Sequence, residues 1–106
     1  MKGLATATLV GNLTGDPEMK EIGDSQLAVF SVAINRKRKG EETVWFARCE
    51  AWGKLAEIVG QYCTKGSGII VQARIDEDQW ESKEGEKRSR PKFIVNDLVL
   101  AGGNAE

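Results

Sequence analysis

The chain has no histidine, and its two cysteines, Cys49 and Cys63, form no CxxC pair. Those absences remove the usual zinc-ligand spacings and most acid–base or nucleophilic arrangements. An enzyme would then need a carboxylate pair, and the acids cluster on expected loops without a convincing site. No enzymatic activity, metal or cofactor is therefore expected. Cys49 and Cys63 are expected to be small core residues, because free cysteine is often buried. No apolar run approaches the length of a membrane span. The opening "MKGLATATLVG" lacks the long apolar region and cleavage site of a signal peptide. A cytosolic protein is expected, a setting that disfavours a disulfide.

What is present is one domain's worth of sequence, 106 residues with 41% apolar and 29% charged side chains, a globular composition. One domain over residues 1–106 is expected, with its core at about residues 4–100. A net charge of −1 gives no overall bias toward nucleic acid, so distribution matters more. Arg36, Lys37, Arg38 and Lys39 stand together. Lys83, Lys87, Arg88, Arg90 and Lys92 follow later, and the two stretches hold nine of the fifteen cations. Acids cluster elsewhere, in Asp16 to Asp24 and Asp76 to Glu81.

Along the chain, "LATATLVGNL" (4–13) reads as a first strand. "TGDPEMKEIGDS" (14–25), with its glycines, proline and acids, reads as a loop. "QLAVFSVAINR" (26–36) suits a strand buried on much of both faces. "KRKGEE" (37–42) is a charged turn around Gly40, and "TVWFARCEAW" (43–52) is the third strand. The period then changes. Leu55, Ile58, Val59 and Tyr62 fall at i, i+3, i+4 and i+7, one face of a helix, with Gly53 at its start and Gly66 closing the turn beyond its end. Residues 67–80 alternate again, with Ile69, Val71, Ala73 and Ile75 on one face. "ESKEGEKRSRP" (81–91) is a charged hairpin loop centred on Gly85, "KFIVNDLVL" (92–100) is the last strand, and "AGGNAE" is a short flexible end. Five strands with one helix between the third and fourth is the order of the OB-fold, a partly open Greek-key barrel. In that fold, strands 2 and 3 carry the face that holds oligonucleotides, and the 1–2 and 4–5 loops border it.

The third strand carries the main functional signal. Its side chains alternate between two faces. Trp45, Ala47, Cys49 and Ala51 make an ordinary core face, and Trp45 is expected in the core. Val44, Phe46, Arg48, Glu50 and Trp52 make the other face, which mixes aromatic rings with charges. Single-stranded nucleic acid offers flat bases and a chain of phosphates. A surface that holds it without reading sequence needs rings for stacking and cations for phosphate, and each stack contributes roughly 1–3 kcal/mol. Phe46 and Trp52, about 20 Å apart along an extended strand, would serve as successive stops with Arg48 between them. Trp80, at the mouth of the charged hairpin, is a further candidate. Each also has a structural alternative: Trp52 packing under the helix, Trp80 on its own hairpin, and the charged turns simply solvated.

"LVGNLTGDPEMK" (9–20), "AWGKLAEIVGQYCTKG" (51–66) and the pair Trp80 and Gly85 resemble bacterial single-stranded DNA-binding proteins, in the right order and at the right separation over about residues 4–100. The resemblance implies base stacking on Phe46, Trp52 and Trp80. It implies phosphate contacts from Arg48 and from Arg36, Lys37, Arg38 and Lys39. Lys87, Arg88 and Arg90 lie on the ribbon that would border the groove. It also implies a homotetramer, or a dimer, built partly through the first strand, and a role in replication, recombination and repair in association with the nucleoid. Three departures stand out. "NRKRKG" replaces a stacking aromatic that many members carry late in strand 2, and Arg38 is a guanidinium substitute for it. The acids around Trp80 would repel phosphate. The family's long tail with an acidic tip, which recruits replication and repair enzymes, is not seen in a sequence that stops at Glu106. Either the sequence is truncated or it is a tail-less variant, so tail-mediated partners are not expected of it. Two alternatives stay open: a single-stranded RNA ligand, since stacking and phosphate contacts serve both polymers, and a protein-interaction subunit of a replication-restart complex.

Overall fold

In the computed structural model, residues 1–101 are described. Of the flexible end expected at 101–106, residues 102–106 lie outside them. The elements in order are β1 (Thr6–Leu13), β2 (Glu18–Ile22), β3 (Ser25–Arg38), β4 (Glu41–Trp52), α1 (Lys54–Tyr62), β5 (Gly68–Glu81) and β6 (Lys87–Leu100). The strands run β1-β5-β6-β4-β3-β2, and β1 also pairs with β3 through Asn12–Ala33 and Leu13–Val32, which bends the sheet back on itself. The remaining seam is short. β4 and β6 run parallel and pair only at Cys49–Phe93 and Glu50–Ile94. The OB-fold order expected from the sequence is therefore present as a partly open barrel.

The core follows from period-two burial along β5 and much of β4, while β3 is buried on both faces from Leu27 to Phe30, as expected of 26–36. Phe30 and Val32 of β3, Ala47 and Cys49 of β4, and Ile69 and Val71 of β5 point inward and are buried. One helix covers an end of the barrel through Ala56 and Val59, with Cys63 just beyond it. Leu55 and Ile58 flank that face, but Tyr62, expected on it, is exposed, because the buried stripe runs through Ala56, Val59 and Cys63 and leaves Tyr62 at its margin. Gly53 starts the helix at φ 62°, ψ −126°, a region that essentially only glycine enters. Its N–H donates to the carbonyl of Gln26, and its own carbonyl accepts from Glu57 N–H.

Three stretches expected as loop are partly strand. Within 14–25, residues Glu18–Ile22 pair with β3 from Val29 to Ser25. All five are exposed, so no burial alternation marks them; the pairing follows from the free edge that the long β3 offers. The 37–42 turn shrinks to Lys39–Gly40, both at positive φ, between the pairs Arg38–Glu41 and Lys37–Glu42. Positive φ at both central residues suits the twist of a tight hairpin. The 81–91 hairpin loop spans only 82–86, because β6 begins at Lys87 and pairs back along β5. Pro91 sits inside that strand, opposite Glu77, on a stretch of β6 with no second neighbour to accept an N–H.

Candidate nucleic-acid interface

β3 and β4 form the wall that carries the aromatic residues. Their register sets Phe46 opposite Ala33, Arg48 opposite Ser31, Glu50 opposite Val29 and Trp52 opposite Leu27. Directly paired residues share a face, so these side chains point away from the core lined by Ala47, Cys49 and Ala51. Phe46 is 60% exposed and Trp52 is 39% exposed. The small partners Ala33 and Ser31 leave the Phe46 ring standing clear of its neighbours. Arg48 is half-buried, and its Nε is covered with no hydrogen-bond partner among the described residues.

The same face continues across the barrel seam. Glu50 pairs with Ile94 in parallel register. Stepping two residues at a time along β6 reaches Lys92, Arg90 and Arg88. These pair with Asp76, Asp78 and Trp80 of β5. Phe46, Arg48, Trp52, Trp80, Arg88 and Arg90 thus share one continuous face of the sheet, although they come from three strands. The ion pairs agree with this parity. Lys92 Nζ lies 2.9 Å from Asp78 Oδ1 and 3.7 Å from Glu50 Oε1, and Arg90 Nε lies 3.9 Å from Asp78 Oδ2. The Arg90 guanidinium also sits 5.4 Å from the Trp80 ring centroid, within cation–π range.

The hydrogen bond from Lys92 holds the Asp78 carboxyl below its ordinary range, with the charges of Lys92, Arg48 and Arg90 acting in the same direction against some desolvation. Reciprocally, the Asp78 contact holds the Lys92 ammonium above its ordinary value, helped by the charge of Glu50. Glu50 is 8% exposed, and Lys92 is its ion-pair partner. Of the other ribbon cations, Arg88 is bonded to Glu86 at 3.0 Å, and Lys87 stands opposite Glu81 in the strand register.

The remaining candidates divide by parity. Lys37 falls on the aromatic face, at the far end of β3. Arg36 and Arg38 fall on the opposite parity, and Lys39 is in the turn. Asn35, Arg36, Lys37, Glu42, Thr43 and Val44 line an open groove of about 570 Å³ along this hairpin. A second groove, of about 450 Å³, is lined by Gln79, Trp80, Glu81, Lys87, Arg88 and Ser89.

Trp45 departs from expectation. It has the core-face parity, but at 46% exposure it lies beyond the end of the core, with its edge on Phe93 (centroids 5.7 Å apart, planes at 84°). The strand outruns the barrel there, so parity alone no longer buries a side chain. The linked Glu50–Lys92–Asp78–Arg90 charges went unrecognised in the sequence, where the acids near Trp80 read only as repulsive. Period-two spacing of Asp76, Asp78 and Trp80 against Arg88, Arg90 and Lys92 was the available signal, and the register centres the hairpin on Glu84, one residue before the Gly85 expected.

Among the described residues, no cluster of side chains suits a metal ion and no helix is long and apolar enough to cross a membrane. The profile of the single-strand binding protein family matches residues 4–101. Single-stranded DNA-binding protein 1 of Synechocystis is 40% identical over 92% of this chain and 84% of that protein. The single-stranded DNA-binding protein of Treponema pallidum is 37% identical over 89% of this chain, which spans 56% of that relative. The one from Mycobacterium leprae is 36% identical over 92% of this chain, which spans 63% of it. With a barrel of the expected order and a family match over nearly its whole length, the chain belongs to the single-strand binding protein family, a family of binders and not of enzymes.

Proposed function

We propose that this protein binds single-stranded DNA without reading its sequence. The observation that carries the proposal is the single sheet face on which three rings alternate with guanidinium groups, Phe46, Trp52 and Trp80 with Arg48, Arg88 and Arg90. Bases stack on the rings, and phosphates meet the cations between them. The hairpin cations Lys37 and Lys39, with Arg36 and Arg38 behind them, extend the phosphate path beyond the barrel. Release of counterions from the strand makes binding weaken with salt. Binding of this kind protects exposed strands during replication, recombination and repair, within the nucleoid.

A dimer or homotetramer fits this role. Val10 and Val99, 59% and 57% exposed, flank Ile70 across three neighbouring strands. They form an outward apolar strip on the first strand and its neighbours, and sedimentation measures the resulting assembly directly. The ligand test is competition. A labelled oligo(dT) bound to the protein is displaced by unlabelled single-stranded DNA, single-stranded RNA of matched sequence, and duplex. Displacement by single-stranded DNA at the lowest concentration supports the proposal. Equal displacement by RNA makes the protein a general single-strand binder. Equal displacement by duplex removes stacking as the source of affinity.

A further inference from the structure

Three cations of the β5–β6 ribbon, Arg88, Arg90 and Lys92, are already engaged with carboxylates. Asp78 projects from β5 between two cations of β6, with Lys92 at 2.9 Å and Arg90 at 3.9 Å. It does so beside Trp80, on the face that carries Phe46 and Arg48. A carboxylate placed there offers the same two-oxygen acceptor geometry as a phosphate diester. On the proposed DNA-binding reading, it occupies the place a phosphate would take.

We propose that Asp78 is an internal phosphate surrogate: in the free protein it holds Arg90 and Lys92, and single-stranded nucleic acid engages this ribbon by displacing it. The surroundings suit an exchange better than a fixed strut. The Asp78 side chain is 29% exposed and the Arg90 side chain 55% exposed, so both ends of that pair are open to solvent. Lys92 is not stranded when Asp78 leaves, because Glu50 stays 3.7 Å away on the other side. That matters because an unpaired cation in a largely covered position is costly. Arg90 already lies over Trp80 at 5.4 Å, so once released it stands between the ring and the incoming phosphate. Arg48, whose Nε is covered with no hydrogen-bond partner among the described residues, lies on the same face, and its charge acts on Asp78. The consequence is a ribbon whose cations contribute less to affinity than their number suggests. Asp78 sets how much less, as a positioning residue acting through Arg90 and Lys92.

The test is oligo(dT) binding across a salt series for wild type, Asp78→Asn and Asp78→Glu, with thermal unfolding to confirm each fold. Asp78→Ser replaces the Asn variant should that fail to fold. Removing the carboxylate is expected to tighten binding about fivefold at low salt, roughly one unit-charge contact in water. It is also expected to steepen the log–log salt slope by about 0.7, one more phosphate contact to a single strand. Asp78→Glu keeps the charge and is expected to bind like wild type. An uncharged variant that binds no tighter, with an unchanged slope, overturns the inference and leaves Asp78 a structural strut. Tightening by the Glu variant as well also overturns it, since charge would not be the cause. A wild-type protein that does not bind oligo(dT) overturns the DNA-binding reading itself, which is a separable result.

Discussion

Phe46→Ala separates stacking from folding more cleanly than any other change on the aromatic face. The ring is 60% exposed and its cross-strand partner is only the methyl of Ala33. Truncation then forfeits about two-fifths of the roughly 1.5–3 kcal/mol that full burial of such a side chain gives, or about 1 kcal/mol. The melting temperature is expected to fall by about 4–8 °C. The binding loss is larger if the ring stacks a base: roughly 1–3 kcal/mol, a weakening of about 5–150-fold. All three tryptophans remain in the variant, so their fluorescence still reports binding of oligo(dT) at a temperature well below both melting points. Phe46→Tyr keeps the ring and is expected to stay near wild type. A folded Phe46→Ala protein that binds within about twofold of wild type refutes the stacking role, as does a Tyr variant that loses as much as the Ala variant.

Gly11→Ala is expected to destabilise the barrel by about 1–3 kcal/mol or more. A Cβ there runs into the carbonyl oxygen of Ala33 and crowds a Val32 methyl at 2.9 Å, where β1 crosses onto β3; a chemical melt unchanged from wild type contradicts it. Burial pushes the Cys49 thiol up to about 12 and raises that of Cys63. Both are expected to resist a thiol reagent near neutral pH and to react together on unfolding; rapid labelling of Cys49 in the native protein sinks this. The Asp78–Lys92 pair fixes a pH window. A lowered Asp78 contributes stability above the ordinary carboxylate value near pH 3.9, lost as pH falls through its depressed folded value. A raised Lys92 contributes stability below about pH 10.4, lost as pH rises through its elevated folded value. The stability gap between wild type and Asp78→Asn is therefore expected to be flat between about pH 5 and 9 and to close at both ends. A gap that stays constant down to pH 2 contradicts the pairing.

The barrel was legible because its core strands alternate. Cys49, Ile69, Val71 and Ala73 carry the inward parity in the sequence and are buried in the structure. The outward placement of Phe46, Arg48 and Trp52 came from the same alternation. What pattern could not supply was the point where each strand leaves the barrel. Trp45 keeps core parity but has only Phe93 to meet. Tyr62 keeps the helical period, but the stripe that is buried is centred on Ala56, Val59 and Cys63. β2 was invisible because none of its residues is buried, so no alternation marks the strand that hydrogen bonds to the edge of β3. Glycine and charge density marked both hairpins as loops. In each, the backbone ladder continues through the charged residues and leaves only a few outside it. Local composition reports solvation there, and pairing is decided by the strand opposite. The joining of the Trp80 ribbon to the Phe46 wall rests on the short Glu50–Ile94 seam, a non-local pairing that no single stretch of sequence announces.

The measurement that tests the central claim most directly is a tryptophan-fluorescence titration with oligo(dT), at low and high salt, with duplex DNA as the control. Oligo(dT) cannot pair with itself, so any ring contact is to an unpaired base. Stacking on the shared face predicts quenching from Trp52 and Trp80, a clear preference for the single strand, and affinity that falls as salt rises. No quenching and no preference over duplex would contradict it, leaving the rings as packing or interface residues and the barrel as a platform for protein partners.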